Sequence, residues 1–153
     1  MFSLIITIIS IALVAALALA TIYYGGAAFN RGSDGAKASQ LINEGQQING
    51  AVTMAKADAA AGGTALEDLA DLTTASPAYL AQLPASFASS GAVTLASGVV
   101  TLTGQSHAVC QEVQKRATGS TTVPAAQPAN QVYGCFGSDT TTNATNGTFF
   151  YKF

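Results

Sequence analysis

The chain has 153 residues, of which only 9% are charged, and its formal net charge at pH 7 is −2. This composition does not indicate a basic surface that binds nucleic acid. With the exception of the pair Lys115-Arg116, the Lys and Arg residues are scattered along the chain. Beyond its N-terminal helical region, the chain is long enough for one small domain but not for two.

Residues 1–26 are predicted to form an apolar helix. Met1 to Asn30 contain no charged residue, and Leu4 to Ala20 read LIITIISIALVAALALA. Such a run can cross a bilayer or pack inside a bundle of similar helices. Ala18-Leu19-Ala20 resembles a signal-peptidase site, but a signal peptide begins with basic residues, and none precede this run. We therefore expect a chain already trimmed by a processing enzyme, with single-pass anchoring as the alternative.

Two faces of this helix differ in chemistry. At about 100° per residue, one narrow stripe carries hydroxyl groups, on Ser3, Thr7, Ser10 and Thr21. Alanines lie opposite, and Ala16 and Ala20 have the spacing that lets helices approach closely. Alternatively, each hydroxyl simply bonds a carbonyl of its own helix. Together the faces favour a helix that packs on copies of itself. The predicted core-packing residues are Met1, Phe2, Ser3, Ile5, Thr7, Ser10, Ala12, Ala16 and Ala20.

A helix break is predicted next. Tyr23-Tyr24 are placed like interfacial aromatic residues, and the adjacent Gly25-Gly26 cost a helix about 2 kcal/mol relative to alanine. Residues 27–58 are predicted to contain this break and an amphipathic continuation of the helix. Its apolar positions repeat every three or four residues, at Ala38, Leu41, Gly45, Ile48, Val52 and Ala55. Asn43 and Glu44 are assigned to the opposite, polar side.

Residues 59–153 are predicted to form a globular head. A capping box at Thr64–Glu67 and the Ser76-Pro77 pair indicate two short helices, the second covering Ala78–Leu83. A third helix is predicted over His107–Ala117. The predicted strands are Val93–Ala96, Val99–Thr103, Gln131–Phe136 and Thr148–Phe153. The expected fold class is α+β, with the long N-terminal helix packed on a four-stranded antiparallel sheet with short helices.

The two cysteines, Cys110 and Cys135, lie in the part expected outside the membrane. An even pair in an oxidising compartment most often forms a disulfide. A metal site is the alternative, and it is poorly supported because His107 lies near Cys110 but no fourth ligand is evident.

The sequence offers no support for catalysis. His107 is the only histidine, and a lone histidine on a helix is more often a surface or capping residue than a base. Glu67, Asp68 and Asp71 form an acidic patch that is better explained by favourable placement near a helix start. We expect no enzyme activity, no catalytic residue, no metal and no cofactor.

Two sequons lie near the end of the head. Asn143-Ala144-Thr145 and Asn146-Gly147-Thr148 match the N-glycosylation pattern, so Asn143 and Asn146 are candidate modification sites. The alternative explanation is an unmodified polar turn.

In organisation the whole chain resembles a type IV pilin. The resemblance lies in the apolar N-terminal helix, its amphipathic continuation over Ala38–Gln47, the Tyr79–Pro84 run and the region Cys110–Cys135. It implies a homopolymer in which N-terminal helices pack in a filament core and heads form the outer surface. The Cys110–Cys135 segment would be the exposed D-region of that family. One position departs from the family, which usually has glutamate at the fifth mature residue, where this chain has Ile5.

The expected function is therefore a structural subunit of an extracellular pilus-like filament. Its partners would be identical subunits, the inner membrane before assembly and the pilus assembly machinery. Roles in adhesion, conjugation, motility, DNA uptake or phage attachment are all compatible, and the sequence names no surface receptor or phage. The alternative is a membrane-tethered monomeric binding domain or a minor or tip component.

Overall fold

The computed structural model describes residues 2–62, 67–88, 98–138 and 145–153. By their internal contacts they divide into two compact units, Met1–Asp34 and Gly35–Phe153. The first unit is purely helical in its described part, whereas the second contains a sheet and the remaining helices.

The N-terminal helix, α1, extends from Phe2 to Ala60. The break predicted at Gly25-Gly26 is therefore wrong, because both glycines lie within α1. A long helix is cooperative, and each residue fixed adds a hydrogen bond, so strong helix formers on either side can offset the local cost of two glycines. Nothing lies within 4 Å of a Cβ added at either glycine, so neither is required there by a close contact.

The stretch of α1 in the second unit is amphipathic, as predicted. Its buried apolar residues are Ala38, Leu41, Ile42, Ile48, Ala51, Val52 and Ala55. Gly45 belongs to the same face and lets the helix approach the sheet, since a Cβ added there would lie 2.6 Å from Cδ2 of Tyr151. The assignment of Glu44 to the polar side is wrong, because only 8% of its surface is exposed.

The sheet is antiparallel and has three strands in the described residues, not the four predicted. They are β1 (Val99–Gln105), β2 (Tyr133–Phe136) and β3 (Gly147–Lys152), in the order β1-β3-β2. The final strand takes the centre because it is the most apolar, with Phe149, Phe150 and Tyr151 all buried. The predicted fourth strand, Val93–Ala96, lies outside the described residues.

Three shorter helices complete the second unit: α2 (Asp71–Thr74), α3 (Ala85–Ala88) and α4 (His107–Thr118). Helix α4 is confirmed, with Ser106 accepting a hydrogen bond from Val109 N and Gly119 ending it at φ 79°. The helix predicted over Ala78–Leu83 is wrong. The backbone amides of Tyr79 and Leu80 both donate to Leu72 O instead of entering a helical turn.

Candidate functional site

The apolar side chains of the first unit are almost all exposed. The exposed fraction is 84% for Phe2, 69% for Ile11 and 77% for Phe29. By length and composition, α1 is able to cross a membrane. None of the residues in its most apolar stretch of 18 residues is buried. A surface of this kind is not stable in water and requires cover by lipid or by protein.

The hydroxyl stripe of α1 is bonded within the helix. Thr7 Oγ1 donates to Leu4 O at 2.8 Å, Ser10 Oγ to Ile6 O at 2.8 Å, and Thr21 Oγ1 to Ala18 O at 2.9 Å. These bonds satisfy the hydroxyl donors within α1. They therefore support the alternative explanation, in which each hydroxyl simply bonds a carbonyl of its own helix. Each hydroxyl oxygen still has acceptor capacity.

Ala12, Ala16 and Ala20 on α1 are exposed, as are Ser3 and Ile5. All five lie on one element, α1, and packing in a core would involve a second copy of it. Their packing role therefore stays a prediction, and Met1 lies outside the described residues.

The predicted disulfide is confirmed. It joins Cys110 on α4 to Cys135 on β2, with a Cα–Cα distance of 5.2 Å and no exposed surface on either residue. Gly147 lies directly against it, because a Cβ added there would be 2.6 Å from Cys110 Sγ. The bond ties α4 to the edge of the sheet and closes the segment that the pilin resemblance identifies as exposed.

Residues 119–132, within this segment, form a fixed loop. Lys152 Nζ donates to the carbonyls of Pro128 at 2.9 Å and Ala129 at 2.7 Å. Gly137 N donates to Pro124 O at 2.9 Å. A lysine of the central strand thus holds a loop with an exposed and uncharged outer surface, which includes Thr121, Thr122, Ala125, Ala126 and Val132.

The remaining predicted site residues are structural in their contacts. His107 Nδ1 lies 2.8 Å from Ser138 Oγ, joining the start of α4 to the segment after β2. Asp71 Oδ2 accepts from the backbone amides of Glu67 and Asp68, which precede it, and so holds the turn that leads into α2. The described residues include no group of three or more His, Cys, Asp or Glu able to hold a metal.

The candidate glycosylation sites differ in what can be said of them. Asn146 is exposed and directly precedes β3. Asn143 lies outside the described residues. Exposure is a requirement for modification but does not demonstrate it.

Two polar anchors were missed from the sequence. Glu44 accepts from Gln40 Nε2 at 2.7 Å and from Ser86 N at 3.2 Å, and so caps α3 from α1. Arg116 Nη2 donates to Gly35 O at 3.0 Å, and its Nη1 donates to Ser39 Oγ, which joins α4 to α1. The spacing of Glu44 from Leu41 and Ile48 is the signal that places it on the buried face.

A third polar contact joins α1 to the segment after α2. Tyr79 Oη donates to Asp58 Oδ2 at 2.9 Å. This hydrogen bond raises the pKa of Tyr79 above its ordinary value, and partial desolvation and the negative charge of Asp58 act in the same direction.

No protein-family model matches the chain, and neither a curated protein nor a solved structure is similar to it at the level required for a match.

Proposed function

We propose that this chain is a structural subunit of an extracellular type IV pilus-like filament, assembled by lateral packing of its N-terminal helices. The observation that carries the proposal is the exposed apolar surface of α1 from Phe2 to Phe29, in a chain whose other unit is a disulfide-closed α+β head. Identical subunits would replace lipid contacts with helix contacts along this surface.

The length of the uncharged stretch favours protein cover over lipid alone. From Phe2 to Asn30, α1 carries no charged residue and would extend about 43 Å at 1.5 Å per residue. The hydrocarbon core of a bilayer is about 30 Å thick. Phe29, with 77% of its surface exposed, lies in the excess and would meet other protein in a filament.

In a mature subunit that begins at Met1, Ile5 would stand where the pilin resemblance expects a glutamate. In pilins, a glutamate at this position compensates the terminal amine of a neighbouring subunit, and a buried, unpaired ammonium costs several kcal/mol in practice. Thr7 could receive that amine in part, because its hydroxyl proton is committed to Leu4 O while its oxygen can still accept. Ser3 of a neighbour and backbone carbonyls are the other candidate acceptors.

The second candidate function is a membrane-tethered monomeric binding domain or a minor or tip subunit. The observation that favours it is that α1 by itself meets the length and composition needed to cross a membrane.

Shearing of cells that express the chain separates the two functions. We expect thin filaments in the sheared fraction by electron microscopy, with this chain identified in them by mass spectrometry. Retention of the whole population in the membrane fraction, with no filaments, would contradict a filament subunit and support the tethered domain.

A further inference from the structure

The charges of the second unit are segregated at the two ends of its α1 stretch. The basic patch, defined as Lys37, Lys115 and Arg116, covers the beginning of that stretch and the last turn of α4, which Arg116 bonds to Gly35. The acidic patch, defined as Asp58, Glu67, Asp68 and Asp71, lies at its far end. Lys37 and Asp58 are separated by about 31 Å of helix at 1.5 Å per residue.

Neither patch is neutralised by the described residues. Within the described residues, the Arg116 guanidinium donates to two neutral oxygens, Gly35 O and Ser39 Oγ. Lys115 has a single long ion pair, 3.9 Å from Glu112 Oε1, and 58% of its side chain is exposed. At the other end, Asp71 accepts from two backbone amides.

The cation nearest in sequence to the acidic patch is engaged elsewhere. Lys56 Nζ lies 5.2 Å from the centroid of the Phe153 ring and 3.4 Å from Phe153 O. Within the described part of the chain, no ion pair joins a residue of the acidic patch to a lysine or arginine.

Between Lys37 and Lys56, the outer face of α1 carries no exposed charge. The only acidic residue between Lys37 and Lys56 is Glu44, and it is turned into the head. The exposed side chains are Gln40, Asn43, Gln46, Gln47, Thr53 and Met54. Charge is therefore concentrated at two opposite ends, and a second copy of the same chain presents the complement of each.

We infer that the acidic patch of one copy docks on the basic patch of the next copy, which gives the heads a head-to-tail contact along the filament. Contact between two different surfaces is heterologous, and heterologous contacts that do not close into a ring produce open filaments. Acid-to-acid and base-to-base arrangements repel, so the charges fix the direction in which subunits are added. This inference rests on the proposed function. It identifies the partner of each head as the head of the next copy.

Two charge-reversed variants test this contact in the full-length chain. Asp58→Lys/Glu67→Lys/Asp68→Lys leaves one carboxylate in the acidic patch, Asp71, and so has two basic ends. Lys37→Glu/Lys115→Glu leaves one cation in the basic patch, Arg116, and so has two acidic ends. Asp71 and Arg116 are left unchanged because they hold backbone groups of the head. Each variant expressed alone should give about tenfold fewer sheared filaments than the wild type, because attraction becomes repulsion at every junction.

Co-expression gives the decisive result. The two variants complement each other's ends, so together they should form mixed filaments at a yield within about twofold of the wild type. The control Thr121→Lys/Thr122→Lys adds positive charge on the loop, outside both patches, and should leave the yield unchanged. Circular dichroism and thermal unfolding report whether each variant is folded.

The outcomes separate this inference from the proposed function. Wild-type filaments together with normal yields from both variants alone would overturn the head-to-tail contact and leave the filament subunit standing. Folded variants that fail alone and also fail together would overturn it too, since charge complementarity then does not explain the loss. Absence of wild-type filaments would overturn both proposals.

Discussion

Gly45 is the residue at which α1 comes closest to the sheet. A Cβ added there would lie 2.6 Å from Cδ2 and 3.1 Å from Cγ of Tyr151, a residue of the central strand with 6% of its surface exposed. Glycine is a poor helix former, by about 1 kcal/mol relative to alanine. Its presence in the middle of α1 is explained by the close approach of α1 to β3, which a residue without a side chain allows.

Gly45→Ala should destabilise the head despite the better helix propensity of alanine. Overpacking against Tyr151 should cost about 1–3 kcal/mol, which exceeds the propensity gain. Thermal unfolding of the full chain in detergent measures the difference. Gly50→Ala is the matched control, because nothing lies within 4 Å of a Cβ added there. An equal or higher melting temperature for Gly45→Ala would show that the contact is not tight.

The Tyr79–Asp58 contact should make the head sensitive to alkaline pH. The pKa of Tyr79 is raised in the folded state, so the contact stabilises the head fully below the unfolded value of about 10 and is lost as pH rises through the folded value. Tyrosinate absorbance should therefore show one late-titrating tyrosine that Tyr79→Phe removes. An unchanged titration curve in that variant would contradict the assigned hydrogen bond.

At the scale of elements, local signals predicted some parts of the fold correctly. Helix α4 is bounded by a serine cap and a left-handed glycine, and β3 is an unbroken aromatic run; both are features of a few adjacent residues. Cys110 and Cys135 were paired because the chain has no other cysteine. These predictions required no knowledge of distant contacts.

Elements that depend on distant contacts were predicted less well. The Gly25-Gly26 pair suggests a break locally, but the cooperativity of α1 decides the outcome. The described partner of β1 lies far away in sequence, because Val100 is opposite Tyr151 of β3, and no local pattern indicates this pairing. Residues 67–88 are likewise held by tertiary bonds, from Tyr79 to Asp58 and from Ser86 to Glu44, whose partners lie far away in sequence.

Ala16→Leu should separate packing of α1 from its membrane insertion. Leucine is as apolar as the neighbouring residues, so insertion should continue, but the larger side chain should cost a close-packed helix core about 1–3 kcal/mol per subunit. Filament yield and membrane recovery are measured side by side. Ile22→Leu conserves volume and serves as the control. A normal filament yield from Ala16→Leu would exclude this face from the core.

At the scale of the whole molecule, the disulfide joins elements that the sheet alone leaves apart. Cys110 and Cys135 are 25 residues apart and connect α4 with β2. The carbonyl contacts of Lys152 hold the loop between them from a different strand. The C-terminal half of the head is thus fixed both covalently and by hydrogen bonds.

Replacement of both cysteines, Cys110→Ala/Cys135→Ala, should lower the free energy of unfolding of the head by about 3 kcal/mol. Helix content from the first unit should be largely retained, because that unit contains neither cysteine. Circular dichroism and thermal unfolding measure the two effects. A reducing agent should reproduce the loss in the wild type and leave the variant unchanged. Equal stability of wild type and variant would contradict a structural role for the bond.

The strand order β1-β3-β2 has a consequence for how the protein is made. Both ladders run through β3, and β3 follows its two partners in the chain. A ribosome releases the N-terminal end first, so α1 emerges while no strand yet has a partner to pair with. The residues of α1, β1 and β2 therefore leave the ribosome before either ladder to β3 can form. A nascent chain arrested before Gly147 should lack both ladders.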